Sequence, residues 1–257
     1  MALSRDAEFA LQFHSRALND CNQRGGRMLS LVDLLDAGTV DLPLAAYLAA
    51  LMRRGASLLV GARPGGAGKT AVMVALLNFL PDLMAIFPLD GASRFAAAAH
   101  DVAYGCTCYI THEIGAGCYY AYIWGEQVRD FLALAARGHC VASNLHADTL
   151  EAAHHQVCTQ NGADPAHFSK LTLKLFLRVE RENDWTLIRR VSHVYESNGQ
   201  DHLVWRLEPD GAFARTAESA LVTPDEERFY AEFLADLQRR DIRTIEDVRR
   251  ELLAIGS

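Results

Sequence analysis

A glycine-rich segment ending in Lys-Thr is the strongest chemical signal in this sequence of 257 residues. Residues 63–70 read Arg-Pro-Gly-Gly-Ala-Gly-Lys-Thr and lie between an apolar run at 57–60 and an apolar helical pattern at 70–80. Glycines let a tight turn direct its backbone N–H groups at an anion, and the following helix N-terminus adds a positive dipole end. The segment matches a P-loop except that Arg63 occupies the position of its first glycine. The pattern therefore predicts a site for nucleotide phosphates.

The residues of this loop have separate expected roles. Lys69 is expected to reach the β- and γ-phosphates, and the Thr70 hydroxyl is expected to bind Mg²⁺. The residues predicted to surround the phosphates are Pro64, Gly65, Gly66, Ala67, Gly68, Lys69, Thr70 and Ala71.

Two further polar residues follow predicted strands. Glu126 comes after an apolar run at 119–124, and His146 comes shortly after a strand predicted at 139–143. Ligands of open parallel sheets bind at the carboxyl ends of the strands, so we expect both side chains beside the loop. There Glu126 would orient water and His146 would contact the γ-phosphate. On its own, Glu126 also suits the first turn of a helix, and His146 also suits an ordinary polar loop.

The elements that position these residues alternate between strand and helix up to about residue 172. Such alternation predicts an α/β fold with a mainly parallel sheet. Beyond it, alternating runs separated by Asn183-Asp184, Asn198-Gly199 and Asp210-Gly211 predict an antiparallel meander, and two amphipathic helices follow. We therefore predict a helical N-terminal segment at 1–54, an ATPase-type domain with its antiparallel extension at 55–217, and a helical segment at 218–257.

Composition narrows the possible partners. The chain has 25 Lys and Arg against 32 Asp and Glu, a net charge of −7, so no nucleic-acid partner is expected. No run approaches the roughly 20 apolar residues of a membrane span, and the six cysteines contain no C-x-x-C pair. We expect no transmembrane segment and reduced thiols. The basic residues Lys170, Lys174, Arg178, Arg181, Arg189 and Arg190 form a local cluster, expected either to be solvated or to face a subunit or a membrane surface.

Together these motifs resemble a family, the ATPases of type II and type IV secretion, type IV pili and archaella. The resemblance covers about residues 34–255 and is closest to archaeal-type and Tad-type members. It rests on the loop at 63–70, on Ile-Trp-Gly-Glu at 123–126, on Arg-Asp at 129–130 with Gly-His at 138–139, and on Ser-Asn-Leu-His-Ala-Asp-Thr at 143–149.

The resemblance implies a fold, a chemistry and an assembly. The fold would be a RecA-like P-loop core with an antiparallel β extension and C-terminal helices. ATP and Mg²⁺ would bind through Lys69 and Thr70, with Glu126 as the acid at the metal and His146 as the sensor of the γ-phosphate. The chain would act as a homo-oligomeric, hexameric motor for secretion or for pilus assembly or retraction. It would be cytoplasmic, at the inner face of the cell membrane, on a membrane-embedded platform protein.

The family also carries a second acid and several arginines that act on a neighbouring subunit's nucleotide. Asp90 and Glu113 are both candidates for the acid, and Ile-Thr-His-Glu at 110–113 resembles the motif more closely. The candidate arginines are Arg94, Arg129 and Arg137, and Arg94 is the only Arg or Lys between Lys69 and Arg129. Two alternatives remain open: a nucleotide-binding regulator without useful turnover, and a DNA-directed RecA-like ATPase.

Overall fold

A computed structural model describes residues 5–22, 25–181 and 186–255, with the side chain of Asp6 left out. Within these ranges the strands form one sheet with helices around it. The predicted turn at Asn183-Asp184 lies outside the described residues.

The sheet is mainly parallel in its first part. The strands are β1 (Leu58–Gly61), β2 (Ala85–Pro88), β3 (Thr107–Ile110), β4 (Glu113–Ile114), β5 (Tyr122–Ile123), β6 (Cys140–Leu145), β7 (Leu173–Arg181), β8 (Leu187–Ser197), β9 (Asp201–Leu207) and β10 (Phe213–Arg215). β7, β1, β6, β3 and β2 lie side by side in that order, all parallel. The predicted parallel sheet is confirmed. All its carboxyl ends therefore meet at one edge.

β7 continues into an antiparallel extension. It pairs with β8, β8 pairs with β9, and β9 pairs with β10, each antiparallel. Gly199 and Gly211, in the loops after β8 and β9, have φ of 112° and 87°, values that favour glycine. The predicted meander is confirmed.

The helices pack on both faces of the sheet. They are α1 (Arg5–Asn19), α2 (Leu31–Asp36), α3 (Leu42–Arg53), α4 (Lys69–Leu77), α5 (Ala92–Ala99), α6 (Glu126–Ala136), α7 (Leu150–His154), α8 (Pro165–Phe168), α9 (Pro224–Arg239) and α10 (Ile245–Ile255). Local signals explain several starts: the side chain of Asp41 accepts a hydrogen bond from Leu44 N, and Thr223 forms a capping box with Glu226. α7 passes into a π-helix at His155–Gln160, and α8 was not predicted. None of the helices in the described ranges is long and apolar enough to cross a bilayer.

The sheet is buried on both faces. Leu58 and Val60 belong to one hydrophobic cluster and Leu59 belongs to the other, as expected for alternating side chains. The first cluster includes Leu48 of α3 and Leu237 of α9, so segments far apart in sequence share a single core. Parallel sheets covered in this way bind their ligands at the carboxyl ends of the strands.

One predicted strand is much shorter than expected. The run at 119–124 forms only the two-residue β5, and the preceding Ala121 has a φ of 50°, outside the β region. β5 pairs with β4 and not with β1 or β6. β4 itself was not predicted, and it pairs with β6 through Ile114 and Leu145. β4 and β5 therefore form a short branch of the same sheet, next to the carboxyl end of β6.

Candidate functional site

The predicted phosphate loop connects β1 to α4. Its backbone enters the left-handed region at Gly66 (φ 78°) and at Gly68 (φ 91°), the residue that precedes the first turn of α4. β1 ends at Gly61, where a Cβ atom would collide with Ala147 O and the Phe176 ring. Glycine is thus required both inside the loop and where it leaves the sheet.

Lys69 begins α4, and its side chain is only 8% exposed. Its Nζ lies 3.2 Å from Ala62 O, 3.4 Å from Glu113 Oε2 and 3.4 Å from His146 Nδ1. The ammonium group therefore lies between the start of the loop and two titratable side chains.

Glu113 and His146 are in direct contact. Glu113 is buried, and its Oε1 contacts His146 Nε2. The other ring nitrogen, Nδ1, lies 3.3 Å from Arg63 O in the loop. Lys69, Glu113 and His146 thus form one cluster, which we call the charged cluster.

Strand order explains why the charged cluster forms. Gly61 ends β1, Leu145 ends the neighbouring β6 just before His146, and Glu113 begins β4 beside β6. These positions lie near the carboxyl edge of adjacent parallel strands, so residues distant in sequence converge there. His146 lies beside the loop, and of the two candidates for the second acid Glu113 reaches the loop.

Oxygen donors suited to Mg²⁺ lie beside the charged cluster. Asn144 Nδ2 lies 3.4 Å from Thr70 Oγ1 and donates to His112 O at 2.8 Å. Among the described residues, Asn144 Oδ1 is buried without a hydrogen-bond partner. A hydroxyl, a carboxylate and an amide oxygen are hard donors, and Mg²⁺ is commonly held by one or two such side chains plus phosphates. The residues present therefore fit Mg²⁺. The described part of the chain contains no group of three or more His, Cys, Asp or Glu residues placed to hold a metal ion.

The charged cluster opens into a cleft of about 820 Å³. Residues 65–71 line it, whereas Pro64 is exposed outside it. Met28 and Leu29 line the cleft from the segment between α1 and α2, and Ile188 lines it from β8. The cleft thus joins the loop to these apolar side chains, and the polar side chains of Asn22, Arg27 and Arg190 line it as well.

The structure does not bring Glu126 into this cleft. Glu126 is exposed in the first turn of α6, and it is not among the described residues that line the cleft. The physical reason is strand order. β5 is separated from β1 by β6 and β4, and three steps of about 4.8 Å make roughly 14 Å. The sequence places Glu126 after a strand, but it does not specify which strand lies next to β1.

Asp90 also lies away from the cleft. It forms an ion pair with Arg94 at 2.8 Å and accepts a hydrogen bond from the Tyr120 hydroxyl at 3.2 Å. It follows β2, the strand at the far edge of the parallel sheet.

The three arginines predicted to act on a neighbouring subunit have partners within their own chain. Arg94 pairs with Asp90 and lies 5.1 Å from the Phe87 ring centroid. Arg129 donates to Asn161 O at 2.9 Å, and Arg137 donates to Ala99 O at 2.9 Å. The contacts of Arg129 and Arg137 tie α6 to Asn161 and to the end of α5.

Two residues at the loop were not predicted as site residues. Asn144 lies within the motif at 143–149, so its place beside His146 was a usable signal. Arg189 was noted only as part of the basic cluster, yet its Nε donates to Gly66 O at 2.9 Å. Its contact depends on how the extension folds back over the loop, which no local pattern encodes.

No protein-family model matches the sequence, and no curated protein matches it. Among solved structures, the chain is similar to the VirB11 ATPase of the Brucella suis type IV secretion system, determined in complex with sulphate. The identity is 16%, the TM-score is 0.44, and the match covers 65% of this chain. The chain spans 54% of the VirB11 chain. At this level of similarity the activity has to be inferred from the chain's own residues.

Proposed function

We propose that the chain binds ATP with Mg²⁺ in the cleft and hydrolyses it. The observation that carries the proposal is the charged cluster, in which Lys69, Glu113 and His146 meet beside a glycine-rich loop. A lysine, an acid and a histidine at the carboxyl edge of a parallel sheet are suited to phosphoryl transfer, because that chemistry depends on positioning and charge stabilisation.

Phosphate binding is assigned to the loop and Lys69. The backbone N–H groups before α4 and the positive end of its dipole favour an anion. Lys69 lies 3.4 Å from the Glu113 carboxylate, and the terminal phosphates would compete with this carboxylate for the ammonium group. The apolar side chains of Met28, Leu29 and Ile188 are suited to the base.

Thr70 and Glu113 are the residues proposed to hold Mg²⁺, with Asn144 beside them. Bound there, Mg²⁺ would neutralise charge on the phosphate oxygens.

Glu113 is proposed to polarise the attacking water, in place of Glu126. Glu113 is 4% exposed, so water competes little with its carboxylate, and it lies at the loop. His146 contacts both Glu113 and Arg63 O, and α7 begins a few residues later with Thr149 as its cap. A change in the contacts of Glu113 would therefore reach α7 through His146.

The cellular role is proposed from the sequence resemblance. The chain would assemble as a RecA-like ring, with six subunits, and drive secretion or pilus assembly or retraction. The partner would be a membrane-embedded platform protein at the inner face of the cell membrane.

Steady-state hydrolysis of ATP with matched acid variants tests the enzymatic part. General acid–base groups contribute about 10²- to 10⁴-fold, so Glu113→Gln should lower kcat by that factor while ATP binding persists. Glu126→Gln should stay within about threefold of the parent protein. Loss of turnover in Glu126→Gln alone would assign the reaction to the other acid, and a parent protein that does not bind ATP would end the proposal.

A second candidate is a nucleotide-binding regulator without turnover. It is favoured by the intrachain partners of Arg94, Arg129 and Arg137, because charge-stabilising arginines contribute 10³- to 10⁵-fold to phosphoryl transfer. ATP binding without hydrolysis, unchanged by Glu113→Gln, would select this candidate.

A further inference from the structure

Arg189 reaches the phosphate loop from the antiparallel extension of the same chain. It lies on β8, opposite Val179 of β7, and its Nε donates to Gly66 O at 2.9 Å. Its Cδ would lie 3.3 Å from a Cβ atom on Gly68, so the side chain packs closely along the loop. The guanidinium group therefore borders the glycines that are proposed to surround the phosphates.

No carboxylate of the described residues forms an ion pair with Arg189. Arg178 of β7 pairs with Glu180, and Arg206 of β9 pairs with Glu208. Among the described residues, Arg189 forms no such ion pair, and its Nη1 contact is Leu187 O at 3.4 Å. A partly buried cation without an anion is electrostatically suited to an anionic ligand.

Geometry favours a phosphate as that ligand. The guanidinium group presents a planar fork of donors that matches phosphate oxygens. Both Arg189 and Lys69 line the same cleft. The arginines expected to act between subunits are engaged elsewhere in their own chain.

We propose that Arg189 binds the terminal phosphates of the nucleotide in cis. This inference rests on the proposed function and deepens it: the cation that complements Lys69 comes from the subunit's own antiparallel extension. On nucleotide binding, the Arg189 guanidinium group would give up its contact with Gly66 O and contact the phosphates instead. The position of β8 would then depend on whether the cleft holds a nucleotide.

Nucleotide binding to matched variants tests the phosphate contact. ATP and AMP affinities are measured by fluorescence titration for the parent protein, Arg189→Ala, Arg189→Lys and the control Arg206→Ala. We expect Arg189→Ala to weaken ATP binding by about 10- to 100-fold with little change for AMP, because only ATP carries the terminal phosphates. The ATP affinity of Arg189→Lys should lie between those of Arg189→Ala and the parent protein, since lysine restores the charge without the planar fork of donors. The ATP affinity of Arg206→Ala should equal that of the parent protein.

Equal weakening of ATP and AMP would mean that Arg189 only shapes the loop, and it would overturn the inference. ATP binding by Arg189→Ala equal to that of the parent protein would do the same while leaving the proposed function intact. A parent protein that binds no ATP would instead remove the proposed function and this inference with it.

Mixing variants tests the action in cis. Lys69→Ala and Arg189→Ala proteins are combined and ATP turnover is followed. A cis arginine leaves every site in the mixture defective, so turnover should stay at the level of the two proteins measured separately. Recovery of turnover on mixing would show that the arginine acts on a neighbour's site and would contradict the proposal.

Discussion

Two lysines are buried in this molecule, and their surroundings differ. Lys69 begins α4 at the carboxyl edge of the parallel sheet, with contacts of 3.2 Å to Ala62 O and 3.4 Å to Glu113 and His146. Lys174 is near the amino end of β7 and is 0% exposed. Its Nζ makes short contacts of 2.6 Å with Asp201 and 2.7 Å with Leu171 O, and it lies 4.8 Å from the Phe168 ring centroid.

The comparison teaches that burial does not identify a functional cation. Burial lowers the pKa of Lys174, and the Asp201 carboxylate opposes this shift. Its short contacts satisfy the ammonium group within the protein and hold β7 to β9. The longer contacts of Lys69 face an 820 Å³ cleft, where a phosphate can compete for them. Lys174 was expected in an exposed or partner-facing basic cluster, and its burial corrects that expectation.

The largest effect is expected from Lys69→Ala. Lys69 is expected to donate to the β- and γ-phosphates, and charge-assisted hydrogen bonds contribute about 1.5–3 kcal/mol each. Loss of both should weaken ATP binding by about 10³-fold, or about 4 kcal/mol. The measurement is equilibrium binding of ATP. Lys174→Met is the matched control, and it should bind ATP with the affinity of the parent protein.

If Lys174→Met lost ATP binding as strongly as Lys69→Ala, while remaining folded by circular dichroism, the distinction between the two lysines would fail.

A somewhat smaller effect, on the stability of the fold, is expected from replacing Lys174. Lys174→Met leaves the Asp201 carboxylate, 17% exposed, without its partner, so the free energy of unfolding should fall by about 3 kcal/mol. Urea denaturation measures it. The double variant Lys174→Met/Asp201→Leu should recover much of the loss, because no buried charge remains. An unchanged unfolding midpoint in Lys174→Met would show that this ion pair is not structural.

His14 is also a buried basic residue. We expect the smallest effect here, on how the free energy of unfolding depends on pH. Burial lowers the pKa of His14 well below its usual value, and the nearby Arg249 lowers it further. The unfolded chain takes up a proton below about pH 6.5 that the native state resists, so stability is present above that pH and is lost as the pH falls. The loss should approach about 1.4 kcal/mol per pH unit.

Thermal or urea unfolding between pH 7.5 and pH 5 measures this dependence. His14→Leu should reduce the slope, whereas the control His100→Leu, at an exposed position, should leave it unchanged. Equal slopes for the parent protein and His14→Leu would contradict the assignment.

Much of the fold followed from local sequence. Asp41, Pro43 and Thr223 mark helix starts by capping chemistry, and turn pairs such as Asn198-Gly199 mark the meander. The loop at 63–70 and His146 could be singled out because their residue types and spacing suit phosphate chemistry. These signals act within a few residues, so a single sequence contains them.

The positions of Glu113 and Arg189 beside the loop depend on pairing between strands that are distant in sequence. Glu126 follows a strand-like run, but β5 pairs with β4 and not with β1, and local propensity does not determine which strands become neighbours. Arg189 meets Gly66 only because β8 folds back beside the loop. Predicting which acid and which arginine lie beside the loop therefore requires the tertiary fold.

The most direct test of the central claim is a crystal structure with Mg²⁺ and a non-hydrolysable ATP analogue. We predict that the γ-phosphate group lies within hydrogen-bond distance of Lys69 Nζ, with Glu113 and His146 on its outer side and Glu126 remote from it. A γ-phosphate contacted by Glu126, with Glu113 turned away from the nucleotide, would contradict this account.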